Sequence, residues 1–215
     1  MCGGRGRRLG GAVEKPLVEV AGQPMVEHVC QALVASRVEQ VYAAVSPHTP
    51  ATRTHLAERV PSVNQENSAD QARSDDNPDL HVRDIRLVDT PGDGYVADLD
   101  TALDTTDTPV LTVAADLPLL SDDAVDAVLD AYAAISTGTD DAREVVSLAV
   151  LVPTALKRAV GASVDDAVER EGRELVSSGV NIVAGRVDET HVSRDVGLTV
   201  NVNRPRDIRV AEALS

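Results

Sequence analysis

Residues 111–120 read LTVAADLPLL: an apolar run, a single carboxylate at Asp116, then a turn bounded by proline. Val110 to Ala114 lacks the polar alternation of a half-exposed strand and has turn signals on both sides, the pattern of a parallel strand buried on both faces. Asp116 then falls just past the carboxyl end of an inner strand, where open α/β sheets collect their ligands. A hard carboxylate oxygen at that place can hold Mg²⁺; taken alone, Asp116 would equally serve to cap the following turn.

The flanking segments extend the same reading. Gln40–Val45, Ile85–Val88 and Val145–Val152 are further apolar strand candidates, and Pro16–Val20 is a short one. Between them lie helical stripes. Val26, Val29, Cys30, Leu33 and Val34 recur at i, i+3, i+4, i+7 and i+8; Thr49 with Pro50 predicts a capped helix to about Val60; and Val96–Leu103 reads as another. Ser121 caps a helix with Asp122 and Asp123 in its first turn and Val125, Val128 and Leu129 on its apolar face. Further on, the pattern predicts a hairpin near Arg173–Val183, a strand around Leu198–Val202 and a helix after Pro205. Alternating strands and helices define an α/β chain with a Rossmann-like, doubly wound, mostly parallel sheet. A single domain over residues 1–215 is expected, interrupted by a mobile polar loop at 61–80 that has too few apolar side chains to offset the entropy of ordering.

Composition narrows the function. Thirty-five acidic against twenty basic residues give a formal charge of −15, which repels nucleic acid and anionic membrane. The acidity is dispersed rather than gathered in a tail and suggests a halophilic proteome, although an ordinary acidic enzyme carries the same sign. Cys2 and Cys30 are too few for a disulfide framework or a CxxC site. There is no apolar run of spanning length, so a cytoplasmic protein with no membrane span is expected. His28, His48, His55, His81 and His191 lack metal-ligand spacing; of these, His48 is the one to test.

The chain opens MCGGRGRRLGG. Glycines let backbone N–H groups approach a ligand closely, and guanidiniums present paired donors matched to phosphate. Gly3, Gly4, Gly6 and Arg8 thus read as a triphosphate cradle, which Lys15 could brace from a second side. GGRGxRL followed by EKPL resembles the signature of the MobA-like nucleotidyltransferases, and DLPL matches the metal-binding position of that family. In that family the loop follows the first β-strand, for which this chain has no residues; the expectation is a truncated first strand and a natural protein with several more apolar residues before Met1.

The segment TPGDGYVADL at Thr90–Leu99, SPHTP at Ser46–Pro50, GVNI at Gly179–Ile182 and LTVNVNRPRD at Leu198–Asp207 resemble the archaeal-type GTP:adenosylcobinamide-phosphate guanylyltransferases of that superfamily. The resemblance implies catalytic roles for Arg8 and Lys15. It implies nucleotide contacts by Gly3, Gly4, Gly6, Arg8, Lys15, Ser46, Gly94, Tyr95 and Asp98, a divalent metal, Mg²⁺, on Asp116, and assistance to metal or acceptor from Asn201 or Asn203. It implies GTP and a phosphorylated corrinoid acceptor as partners. Arg204 and Arg206 depart from the Thr and Glu usual in that last segment. A molybdenum cofactor guanylyltransferase shares the loop, the lysine and the DLP chemistry, and a non-catalytic nucleotide-binding regulatory module would retain the cradle. No GxxxxGK[ST] sequence is present, so no accompanying kinase activity is expected.

Overall fold

The computed structural model describes residues 1–2, 9–10, 13–59, 85–137, 146–185 and 187–215. The polar loop predicted at 61–80 lies outside these residues, as does the glycine loop with Gly3, Gly4, Gly6 and Arg8.

The elements in chain order are β1 (Glu19–Val20), β2 (Gln23–Pro24), α1 (Met25–Ala35), β3 (Val41–Val45), α2 (Pro50–Arg59), β4 (Ile85–Asp89), α3 (Tyr95–Leu103), β5 (Val110–Val113), α4 (Asp122–Thr137), β6 (Val146–Pro153), α5 (Thr154–Val160), β7 (Val168–Arg170), β8 (Arg173–Val183), β9 (Val187–Val192) and α6 (Pro205–Leu214). The strands predicted at the centre and the helices between them occur where expected. Pro16–Val20 is shorter than predicted: Lys15–Leu17 forms a 3₁₀ turn, and Glu19–Val20 alone pairs, with Gln23–Pro24.

Strands β3 and β4 pair in parallel, while β5, β8, β6 and β9 follow one another in a second array with β7 on β8. The chain start joins the two. The Met1 ammonium donates to Val113 O at 2.9 Å, Ala115 N–H donates to Met1 O at 3.3 Å, and Cys2 N–H donates to Ala44 O at 2.9 Å. Met1 and Cys2 therefore lie between β3 and β5, the place expected for a first strand.

The sheet is mixed, not mostly parallel. β8 runs antiparallel to both neighbours, β5 and β6, whereas β6 and β9 are parallel. Apolar runs reveal burial but not direction; the tight turn at Glu171 and Gly172, both at positive φ, makes β8 antiparallel to β7 as well. This also corrects the hairpin predicted at Arg173–Val183: those residues form one long strand, and the hairpin partner is Val168–Arg170. Leu198–Val202 forms no strand. Leu198, Val200 and Val202 are fully buried as their alternation demands, but Thr199 N–H and hydroxyl both turn back to Val196 O.

Helices α1 and α4 cover one face together. Val29 and Ala32 of the first and Ala124, Val125 and Val128 of the second pack on Val113, Leu148, Val150, Val176, Val180 and Ile182. Ser121 caps α4 as predicted, its hydroxyl accepting from Ala124 N–H at 3.1 Å. With no Phe or Trp in the chain, the core is filled by small aliphatic side chains whose close fit sets the positions of the strand ends.

Candidate active site

Asp116 follows β5 by three residues, and its backbone is fixed from two sides: Ala114 N–H donates to Gly179 O, and Asp116 O accepts from Val202 N–H, each at 2.9 Å. Lys15 approaches from the 3₁₀ turn. Its Nζ lies 2.6 Å from Asp116 Oδ2 and 2.6 Å from Asn203 Oδ1. Both members of the ion pair retain some solvent access, 17% and 14% of the side chain, so the pair faces the cleft rather than the core.

The turn bearing Lys15 is anchored by its neighbour. Glu14 accepts from Ala51 N–H, Thr52 N–H and the Thr52 hydroxyl at 2.8, 2.7 and 2.7 Å, placing a carboxylate on the otherwise unsatisfied N–H groups at the start of α2. Thr49 stands directly before Pro50, the first helical residue, as predicted, but its hydroxyl bonds Ser46 at both N–H and carbonyl, so the side-chain cap comes from Glu14.

Asn203 is set by Asp207, which is wholly buried and accepts from Asn203 N–H, Arg204 N–H, Ser163 N–H and the Ser163 hydroxyl at 2.8–3.1 Å. Arg204, one of the departures noted in the sequence, closes this corner through an ion pair to Asp165 at 2.6 Å. Asn201 points elsewhere. Its amide is held by Lys157 Nζ at 2.8 Å and by Ser178 O at 2.9 Å, and it reaches Asp116 Oδ1 only at 3.4 Å. Asn203 thus meets Lys15 while Asn201 approaches Asp116 from behind, and the two do not lie on a common strand.

A cleft of about 350 Å³ opens above the ion pair, within the range of small-molecule sites. Lys15, Pro16, Ala114, Ala115 and Asp116 form one side, His48, Gly92, Gly94, Tyr95 and Asp98 the other, and Met1 and Cys2 the back. Gly94 has φ +118° and no atom near a would-be Cβ, so its backbone is open to a ligand. Asp98 is buried and accepts from Gly92 N–H at 2.7 Å, and His48 Nε2 contacts Gly92 O at 3.1 Å; together they shape the glycine loop from within. Tyr95 is 54% exposed at the rim. Ser46 does not line the cleft: its hydroxyl accepts from His48 N–H and sits behind that loop. Burial raises the Cys2 thiol above its ordinary range, against the lowering effect of the N-terminal ammonium, so Cys2 is no thiolate nucleophile at neutral pH.

Among the described residues, no group of three or more His, Cys, Asp or Glu is gathered to cage a metal. The donor set at the lysine is one carboxylate oxygen and one amide oxygen, both hard. That suits Mg²⁺, which takes one or two protein oxygens and completes its octahedron with water and phosphate.

Sequence reasoning missed Lys157 and Asp207. Lys157 is only 3% exposed, and burial pushes its pKa below that of an ordinary lysine, opposed by Asp116 first and then by Asp207 and Asp165. The signal was available in the composition: the chain has two lysines, every other cationic side chain being arginine or histidine.

The fold is that of the nucleotidyltransferases. A CMP:2-keto-3-deoxy-manno-octonic acid synthetase complexed with CTP superposes with a TM-score of 0.56 at 12% identity, over 94% of this chain and 91% of that one. A Bacillus anthracis protein assigned as a glucose-1-phosphate thymidylyltransferase, in complex with sucrose, superposes with a TM-score of 0.63 at 10% identity, over 99% and 92%. A hypothetical transferase from Thermus thermophilus gives 0.53 at 22% identity, this chain spanning 63% of its length and 86% of its own. Within that fold class, residues 1–183 match the MobA-like NTP transferase domain, and the chain belongs to that family. It is also 29% identical over 216 residues, all of this chain and 94% of the relative, to the adenosylcobinamide-phosphate guanylyltransferase of Methanocaldococcus jannaschii. No helix among the described residues is long and apolar enough to cross a membrane.

Proposed function

We propose that the chain transfers GMP from GTP to adenosylcobinamide phosphate, forming adenosylcobinamide-GDP and pyrophosphate on the route to cobalamin. The observation that carries this reading is the meeting of Lys15 and Asp116, 101 residues apart in sequence, at 2.6 Å in the lining of one cleft. The name of the archaeal relative, matched from end to end, supports the choice of acceptor.

The chemistry asks little covalent work of the protein. The terminal phosphate of the acceptor is already an anionic nucleophile; its oxygen attacks the α-phosphorus in line, the bond to the β-phosphate oxygen breaks, and pyrophosphate leaves. No general base is required, so catalysis rests on positioning and on stabilising charge. Lys15, with Arg8 and the backbone N–H groups around Gly3, Gly4 and Gly6, holds the triphosphate. Gly94, Tyr95 and Asp98 take the base and ribose across the cleft, with Ser46 supporting their wall through His48. Asp116 and Asn203 would hold Mg²⁺, which when bound neutralises charge on the α- and β-phosphate oxygens.

Pyrophosphate release from GTP tests the reading. It is expected with adenosylcobinamide phosphate and not with molybdopterin or without an acceptor. Release with molybdopterin alone would reassign the acceptor, and none under any condition would leave a nucleotide-binding module.

A further inference from the structure

Both lysines of the chain converge on one carboxylate: Lys15 bonds Asp116 directly, and Lys157 reaches it through Asn201. We propose that Lys157 is a positioning residue for Asp116, acting through the side-chain amide of Asn201, whose orientation it dictates. The proposal rests on the reading of Asp116 as the carboxylate of the reactive centre.

Lys157 projects from α5 into the interior and is absent from the cleft lining, so it touches no ligand there. An ammonium held in such a place carries a desolvation cost that an apolar chain of the same length would avoid. Its hydrogen bond goes to Asn201 Oδ1 at 2.8 Å. An ammonium only donates, so it requires the amide oxygen on its side; Ser178 O, 2.9 Å away, only accepts, so it requires the amide nitrogen on the other. Both neighbours select the same orientation. Nδ2 then faces Asp116 Oδ1 at 3.4 Å, and a flipped amide would set its oxygen against two others.

The backbone is shaped to admit this amide. β8 bulges where it crosses β6, the register shifting between Ala149 and Leu151, and Gly179 within the bulge has φ +85°. A Cβ there would stand 3.0 Å from Asn201 Nδ2. Ser178 has no register partner on β5 or β6, and its carbonyl receives the amide. Lys157 therefore fixes Asn201 as a donor toward Oδ1 of Asp116 and leaves Oδ2 to Lys15, whose ammonium also bonds Asn203 Oδ1. Asn201 Oδ1 is committed to Lys157, so of the two asparagines it is Asn203 that offers its amide oxygen to Lys15. A compact ammonium suits the task, whereas the broad planar fork of arginine would not fit behind a single amide oxygen.

The test compares Lys157→Met, Asn201→Ala and the double variant with the wild-type chain. Lys157→Met sheds the desolvation cost but leaves Asn201 Oδ1 buried without its donor, so it is expected to stay folded with a somewhat lower melting temperature and to lose roughly 10–100-fold in kcat, the scale for partners that orient a metal-holding group, with the KM for GTP unchanged. Because the residues act in series, the double variant is expected to be no slower than the slower single one. Wild-type kcat in a folded Lys157→Met, or multiplied losses in the double, overturns the proposal. Amide NMR of the wild-type chain needs neither turnover nor a folded Lys157 variant. The Asn201 side-chain protons are expected to be protected from exchange, and exchange at the rate of a free asparagine overturns the clamp. Protected protons in a chain that releases no pyrophosphate with any acceptor would instead refute the proposed function and leave the clamp standing.

Discussion

The ammonium of Lys15 stands 2.6 Å from Asp116 Oδ2, between that oxygen and Asn203 Oδ1. If Asp116 and Asn203 hold the metal as proposed, lysine and metal would compete for the same two oxygens in the nucleotide-free chain. Lys15→Ala is expected to lower turnover about a hundredfold or more, as for removal of a transition-state donor, while Mn²⁺ binds the nucleotide-free variant more tightly than wild type. Titration of each chain with Mn²⁺, followed by electron paramagnetic resonance, reads this directly. An equal or weaker affinity in the variant would show that the two cations do not share the site.

Gly179 is where the sheet yields to the active centre. At φ +85°, a Cβ would stand 3.0 Å from Asn201 Nδ2 and 3.1 Å from the Ala114 Cβ. Gly179→Ala combines left-handed backbone strain with tight contacts that push the Asn201 side chain aside, and should cost about 1–3 kcal/mol. Urea denaturation measures the loss, and kcat should fall further than stability alone explains because Asn201 is displaced.

Glu14 ties the turn of Lys15 to the first N–H groups of α2. Glu14→Ala is expected to cost about 1 kcal/mol, the value of a lost helix cap, and to raise the KM for GTP by loosening the adjacent lysine. Glu14→Gln keeps one acceptor oxygen and should recover part of both. Unchanged KM in Glu14→Ala would separate the cap from the site.

How far the site could be read beforehand follows from these residues. That Lys15 and Asp116 would meet was legible because each sits in a dense local pattern, EKPL and LTVAADLPLL, that resembles a family signature; their roles belong to the proposal. Strand positions were legible because burial on both faces writes an apolar run. The direction of β8 was not, since direction depends on which edge the chain returns to. The start of α2 after Thr49 was legible, but its side-chain cap was not, because Glu14 supplies that bond from another segment. Lys157 escaped for the corresponding reason: within TALKRAV it looks like any exposed helical lysine, and its partners lie in segments far along the chain.

The acidic surface yields the last prediction. Acidic residues exceed basic ones by fifteen, so carboxylates outnumber the cations that could answer them. Exposed arginine pairs such as Arg37 with Asp126 and Asp130, Arg53 with Asp89, and Arg158 with Glu174 answer some of them. Added salt acts on both populations. It weakens the exposed pairs, each worth at most about 1 kcal/mol, and it relieves the repulsion among the excess carboxylates, whose range falls to roughly 3 Å at 1 M. With the net charge at −15, the second effect should win, and the melting temperature should climb with KCl from dilute buffer to molar concentrations. Sucrose, which strengthens burial without screening charge, should not reproduce the full rise. A melting temperature that is flat in KCl would show that the repulsion is already balanced and that the acidity reports no adaptation to salt.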